Sequence, residues 1–232
     1  MTLNNYLVNN SYPGRGIMLG RSACGKYAVV VYFIMGRSVN SRNRIFTPTE
    51  DGIRTEAFDP SQMSDPSLII YHPVRRSDGS LIVTNGDQTD TVRDFIAEGK
   101  TFEEALRTRT FEPDEPNFTP RISGIVAGDG SYKLSILKSQ NGNPDSVQRS
   151  FFEYPQPAAG TGHFIHTYKC NGSPIPSFEG EPEPVELAPM SPEDFADSIW
   201  YSLNYENKVS LYVNYVSLED GSEHVIIKNK NV

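Results

Sequence analysis

Nine consecutive residues, Tyr27-Ala-Val-Val-Val-Tyr-Phe-Ile-Met35, are apolar or aromatic and rich in β-branched side chains. A run without polar alternation leaves no face for water, so it reads as a strand buried on both faces. It is far too short to cross a bilayer as a helix, which takes about 20 residues. Before it, Gly16-Ile-Met-Leu-Gly20 reads as a partner strand, with residues 21–26 as the connection and Gly25 free to take a positive φ. The domain therefore opens with an antiparallel hairpin.

Further hairpins follow. Residues 67–72 and 81–84 flank Ser77-Asp-Gly-Ser80, and residues 121–126 and 132–137 flank Gly128-Asp-Gly130. Residues 208–218 and 223–228 close the chain around Asp220-Gly221, and residues 147–154 read as one more strand. Helical spacing runs over residues 89–98, with Val92, Phe95 and Ile96 on one face, and over 101–109, where Thr101-Phe-Glu-Glu104 has the form of a capping box. Ser191-Pro-Glu-Asp194 starts a third helix that runs to about residue 203. Residues 154–192 hold much of the proline and glycine and read as loop, a lid or an edge excursion. Eight to ten strands and three helices, ordered as hairpins rather than βαβ units, predict a single α+β domain with mainly antiparallel sheets over 1–232.

Of the 232 residues, 37% are hydrophobic and 22% charged, which suits an ordinary globular chain. The formal net charge of −8 repels polyphosphate and argues against DNA or RNA as a partner. Cys24 and Cys170 match no zinc-site spacing and read as reduced structural thiols. His163 and His166 are the only histidines near metal-ligand spacing, and a loop rich in glycine is a weak setting for a metal; no metal site is expected. The polar, Asn-rich first ten residues contain no secretory signal, so a cytoplasmic protein without membrane attachment is expected.

Four clusters have the residue types for chemistry. Gly36-Arg-Ser-Val-Asn-Ser-Arg-Asn-Arg44 places three arginines and several small donors directly after the strongest strand. Guanidinium forks match phosphate or carboxylate oxygens, and the alternative is a solvated basic loop. Asn85-Gly-Asp-Gln-Thr-Asp90 could bind ribose hydroxyls or a base edge, although taken alone a turn followed by a helix cap is the better reading. Phe111-Glu-Pro-Asp-Glu-Pro-Asn-Phe-Thr-Pro-Arg121 combines three carboxylates with three prolines that stiffen the backbone and lower the entropy lost on positioning a ligand. Tyr71-His-Pro-Val-Arg75 could form an anion or oxyanion site, or Tyr71 could be a core residue. No Walker loop, Rossmann fingerprint or Gly-x-Ser-x-Gly elbow is present.

In order along the chain, Tyr12-Pro-Gly-Arg-Gly-Ile-Met-Leu-Gly20, the Arg37-Ser38 to Asn43-Arg44 run, Tyr71, Asn85-Gly-Asp-Gln-Thr-Asp90 and Asn117-Phe-Thr-Pro-Arg-Ile-Ser-Gly124 resemble the archaeal-type IMP cyclohydrolases. The resemblance spans most of residues 12–138, and the Asn-x-Thr-Pro-Arg-Ile and Arg-Ser…Asn-Arg segments are its most specific parts. It implies a four-layer αββα sandwich similar to the N-terminal nucleophile hydrolases. It also implies ring closure of a formamidoimidazole-carboxamide ribonucleotide to inosine monophosphate, a purine nucleotide, with loss of water and without folate, metal or other cofactor.

By that resemblance Glu112 transfers the proton, with Asp114 and Glu115 as rivals. Tyr71 and Arg37 serve the oxyanion or carboxamide, and Arg15, Arg44 and Arg121 hold the 5′-phosphate. Ser38 and Asn43 belong to the substrate-binding run, and Asn85, Asp87, Asn117 and Thr119 bind base or ribose. Two alternatives stay open: an amidohydrolase using Thr2 or Cys24 as nucleophile, and a nucleotide-binding module without catalysis. Exposed sheet edges leave assembly into a homo-oligomer open.

Overall fold

The computed structural model describes all 232 residues. In chain order the elements are α1 (Leu3–Asn9), β1 (Arg15–Arg21), β2 (Tyr27–Met35), α2 (Val39–Arg42), β3 (Arg44–Thr49), β4 (Gly52–Ala57), β5 (Val74–Ser77), β6 (Ser80–Thr84), α3 (Gln88–Ala97), α4 (Phe102–Arg107), β7 (Arg121–Val126), β8 (Tyr132–Gln140), β9 (Asn143–Tyr154), β10 (Thr161–His166), β11 (Glu183–Glu186), α5 (Pro192–Ser202), β12 (Lys208–Ser217) and β13 (Glu223–Asn229). They form a six-stranded sheet, β11-β10-β1-β2-β12-β13, and a seven-stranded sheet, β3-β4-β5-β6-β7-β8-β9. Every pairing is antiparallel.

The nine-residue apolar run is β2, near the middle of the first sheet, and its two faces do different work. Ala28, Val30, Tyr32 and Ile34 point inward, into the apolar filling between the two sheets. Val29, Val31, Phe33 and Met35 point outward, against Leu3 and Leu7 of α1 and Phe195, Ala196 and Ile199 of α5. The spacing of those three α5 residues makes the stripe that a helix needs to cover a sheet. Beyond the second sheet, Val92 of α3 and Phe102, Ala105 and Leu106 of α4 cover Ile82, Ile125 and Leu137. The result is helices, sheet, sheet, helices. No helix is long and apolar enough to cross a membrane.

Some sequence expectations change. Residues 67–72 are a turn, not a strand: Pro66 and Pro73 bracket them, and the Pro66 carbonyl accepts from the amides of both Ile69 and Ile70. The strand before Asp78-Gly79 is instead β5, and both turn residues have positive φ, +45° and +74°, as a two-residue hairpin turn of the primed kind requires. The Pro/Gly-rich segment is not wholly loop. Its residues 161–166 form β10, which lies inside the first sheet between β1 and β11. The short α1 and α2 and the strands β3 and β4 carry weak local patterns and were not legible.

The sheets lock together at Gly124 of β7. A Cβ there would lie 2.8 Å from Leu19 Cδ1 of β1 and 3.2 Å from Val83 Cγ1, so the missing side chain makes the hole that Leu19 fills. Gly124→Ala is expected to cost about 1–3 kcal/mol by overpacking, and Leu19→Ala about 2–5 kcal/mol by leaving a void. In the double variant the added methyl occupies part of that void, so the two costs should fall short of their sum by more than about 0.5 kcal/mol. Urea unfolding of the four proteins measures this, and simple additivity would show that Leu19 and Gly124 do not share the space.

Candidate active site

Where the apolar filling ends, the beginnings of β1, β3 and β7 meet the ends of β2 and β10. These strand ends surround an open cavity of about 340 Å³, lined by Tyr12, Arg15, Met35, Arg37, Ser38, Asn40, Ser41, Arg44, Asp65, Leu68, Ile69, Glu112, Asp114, Asn117, Tyr168 and Ile175. A larger cavity of about 470 Å³ lies at the other end of the β1–β2 hairpin, around Cys24, Tyr27, Tyr215 and His224. Its lining is mainly apolar, whereas the smaller cavity gathers three arginines and two buried or half-buried carboxylates, the convergence of polar groups expected of a reaction site.

An ion pair spans the sheets at this cavity. Arg15 Nη2 of β1 donates to both carboxylate oxygens of Glu112, each at 2.9 Å. The two side chains are only 11% and 3% exposed. Burial pushes the Glu112 carboxyl above its ordinary value, against the opposing pull of Arg15 and Arg121. Burial pulls the Arg15 guanidinium down, but the Glu112 carboxylate and the surrounding phenols together outweigh it and leave Arg15 held well above its ordinary value. Arg15 Nε is buried without a hydrogen-bond partner.

The loop carrying Glu112 is braced by its own bonds. The Glu112 amide donates to the Thr119 carbonyl at 2.9 Å, and the Thr119 amide donates to Asp114 Oδ1 at 2.6 Å. Phe118 turns the chain with φ +44° and packs its ring edge-on against Phe111. Asn117 Oδ1 accepts from the Ile175 amide at 3.1 Å, tying this loop to the Pro-rich segment.

Thr119 Oγ1 donates its one proton to Asp114 Oδ2, so the 2.6 Å contact with Tyr168 must be donated by the phenol. With its proton directed at Thr119, the Tyr168 oxygen presents lone pairs as an acceptor. Tyr168 stacks on Tyr12, whose ring lies beneath the Arg37 guanidinium at 5.1 Å. Arg37 Nη1 is anchored by Asn171 Oδ1 at 2.6 Å and the Gly172 carbonyl at 2.9 Å.

Arg44 lies deeper and is 2% exposed. Its Nε donates to the Ser41 carbonyl at 2.8 Å and its Nη2 to the Met35 carbonyl at 3.5 Å, while Nη1 is buried and unpartnered. Burial pulls its pKa down, partly countered by Tyr71. Behind it the Tyr32 and Tyr71 hydroxyls share a 2.8 Å hydrogen bond, and the Tyr71 amide donates to Thr55 Oγ1.

Of the residues singled out in the sequence, Arg15, Arg37, Ser38, Arg44, Glu112 and Asn117 line the cavity. Tyr71 sits behind it, hydrogen-bonded to Tyr32, and Thr119 is one hydrogen bond behind Tyr168. Asn43, Asn85, Asp87 and Arg121 do not line it. Asn43 exchanges two 2.7 Å bonds with the Asp59 backbone. Asn85 is fully buried and holds the start of β7 through the Pro120 carbonyl and the Ile122 amide. Asp87 bridges Arg121 at 2.7 Å and Arg109 at 2.5 Å. Arg121 still acts on Glu112 from behind, as a nearby positive charge.

Tyr12, Asn40, Ser41 and Tyr168 line the cavity without having been singled out individually. Tyr12 and the two small polar residues stood within recognisable segments; Tyr168 lay in the Pro/Gly-rich stretch with no local signal. Thr2 pairs with Glu186 on the edge of the first sheet, and Cys24 is exposed in the β1–β2 turn, so neither faces the cavity. No group of three or more His, Cys, Asp or Glu side chains is placed to hold a metal ion.

The chain is similar to known proteins over most of its length. The IMP cyclohydrolase of Methanopyrus kandleri is 30% identical over 161 residues, covering 68% of this chain and 75% of its own length. That of Methanosphaera stadtmanae is 27% identical over 164 residues, covering 69% and 75%, and that of Halobacterium salinarum 29% over 132 residues, covering 55% and 63%. The family described as IMP cyclohydrolase-like protein matches residues 12–221, which include every residue lining the cavity, and the chain belongs to that family.

Proposed function

We infer that the chain is an IMP cyclohydrolase working in the ring-closing direction, on 5-formamidoimidazole-4-carboxamide ribonucleotide, in cytoplasmic purine biosynthesis. The observation that carries this reading is the buried Glu112–Arg15 pair in the cavity of a chain from this family.

Ring closure joins the carboxamide nitrogen to the formyl carbon. The carboxamide is a poor nucleophile until it loses a proton as the bond forms, and the formyl oxygen then becomes negative. Dehydration finally expels that oxygen as water, whose two hydrogens come from the carboxamide and formamide nitrogens. The attack is intramolecular, so holding the two groups in reach removes much of the barrier. The residual demand is for one group that can take a proton and return it.

Glu112 meets that demand. Its burial raises its pKa above the ordinary glutamate value, which makes the carboxylate a stronger base than a solvated one. It takes the carboxamide proton during addition and supplies a proton to the departing hydroxide. Arg15 holds the carboxylate in a fixed orientation through both oxygens. The Tyr168 oxygen, restricted to accepting, suits a substrate N–H. Asn117 and Ser38 line the same cavity and are candidates to bind ribose or phosphate oxygens.

Absorbance measurements of IMP formation, with chelator present and no folate added, test the reaction. Turnover by the parent chain and a loss of about a hundredfold or more in Glu112→Gln is expected, the usual scale for an acid–base group. A parent chain that binds IMP without turning over the ribonucleotide would overturn the enzyme reading.

The pH dependence carries a second test. Catalysis that starts from the Glu112 carboxylate falls as pH drops through its raised pKa, so the acid limb of kcat/KM should lie above the 4.5 of an ordinary glutamate. Stability has the opposite sign. The folded state holds this proton more tightly than the unfolded chain, so the contribution is present in acid and lost as pH rises from 4.5 to the raised value. Melting temperatures of the parent and Glu112→Gln should diverge in slope across that window, and parallel curves would remove the claim of a raised pKa.

A further inference from the structure

Arg44 is a buried cation without a countercharge. The residue is 2% exposed and borders the cavity, two of its guanidinium nitrogens donate to backbone carbonyls, and Nη1 is buried with nothing to bind. A buried charge left in this state is costly, and it persists in a cavity where a ligand atom completes it. Arg15 Nε is likewise buried and unpartnered.

The neighbours decide which ligand atom that is. Arg44 is grouped with Arg15, Tyr32 and Tyr71 at the floor, and Arg15 is bound directly to Glu112. In the nucleotide the ribose stands between the phosphate and the reacting formyl and carboxamide groups. Resting on the reading of Glu112 as the proton-transfer group, the reacting groups occupy the floor beside Arg44, and the phosphate must lie at the opposite end. That end is the rim, where Arg37 and Ser38 are exposed and Asn40 and Ser41 half-exposed.

The energetics point the same way. A phosphate dianion is strongly hydrated and is bound with least loss where water still reaches it. A single charge that appears only during reaction gains most from donors fixed in a dry, low-dielectric setting.

We propose that Arg44 is a catalytic residue that stabilises the oxyanion at the cavity floor, assisted by Arg15 Nε, and that Arg37 at the rim binds the 5′-phosphate. This exchanges the roles that the sequence resemblance implies for the two arginines. As the C–N bond forms, the formyl C=O π pair moves to oxygen and the Arg44 Nη1–H group receives that charge. The C–O bond then breaks with its electron pair on oxygen, which leaves as water after protonation.

The test compares the formamido ribonucleotide with its nucleoside, which lacks the phosphate, in the parent chain, Arg37→Gln and Arg44→Gln. Binding of IMP against inosine by calorimetry gives the same comparison without turnover. The nucleotide advantage should fall by about tenfold or more in Arg37→Gln, equivalent to losing about 1.4 kcal/mol. It should stay within about twofold of the parent in Arg44→Gln, while kcat drops by about a hundredfold or more. If Arg44→Gln does not fold, Arg44→Lys replaces it, and Arg37→Gln must still close the nucleotide advantage. The assignment is overturned if the Arg44 variant closes the advantage and the Arg37 variant leaves it intact. A parent chain with no turnover would remove the cyclohydrolase reading, and the oxyanion role with it, and is recognised because no variant is involved.

Discussion

A single buried ion pair joins the two sheets at the point where their apolar filling stops. Arg15 belongs to β1 of the six-stranded sheet, and Glu112 to the loop that feeds β7 of the seven-stranded sheet. Removing both charges from water is expensive, and the attraction between them offsets that only with good geometry and further support. The support is visible: Nη2 reaches both carboxylate oxygens, Arg121 adds a second positive charge behind Glu112, and the loop from 112 to 119 closes on itself through Asp114 and Thr119. A hydrophobic pair would hold the sheets as well. The ionic one adds a carboxyl whose proton affinity is raised by its surroundings, which is a chemical rather than a structural asset.

The charge distribution follows from that choice. The chain as a whole carries −8, yet the cavity gathers Arg15, Arg37 and Arg44. Long-range repulsion discourages polyanions, while a small anion that enters the cavity meets local donors at short distance. The two unbound guanidinium nitrogens, Arg44 Nη1 and Arg15 Nε, are both on the floor, beside the phenol pair of Tyr32 and Tyr71. The most strongly desolvated donors are therefore grouped with the buried Glu112 carboxyl, and the solvated ones are at the rim.

Legibility in the sequence followed the range of the interactions. β2 was legible because its pattern is complete within nine residues, and α5 because Ser191, Pro192 and its apolar stripe sit together. The Asp-Gly turn was legible as a turn, but its first strand was misplaced because Pro66 and Pro73 outweigh the apolar content of 67–72. β10 was hidden because its strand character comes from β1 and β11, far away in sequence, while its neighbours are glycines and prolines. The same reason hid Tyr168, which reaches the cavity only because β10 enters the sheet. Asn85 and Asp87 have structural uses of their own. Their polar side chains have the types that bind a ribose, but a strand-to-helix turn with a buried arginine beside it uses the same types to satisfy its own backbone and charge.

The direction of the hydrogen bonds completes the chemical character of the cavity. Thr119 has one proton and gives it to Asp114, so Tyr168 must donate to Thr119 and can only accept from the cavity. Arginines, in contrast, can only donate. The cavity wall therefore presents fixed donors from Arg15 and Arg44 and a fixed acceptor from Tyr168, with Glu112 as the group able to change roles. Under the proposed reaction, a formyl oxygen would seek the donors and a carboxamide N–H the acceptor, so this division would orient the two groups oppositely within one small space. Asp114 belongs to that arrangement without needing to touch the substrate: by claiming the Thr119 proton it decides which way the phenol points.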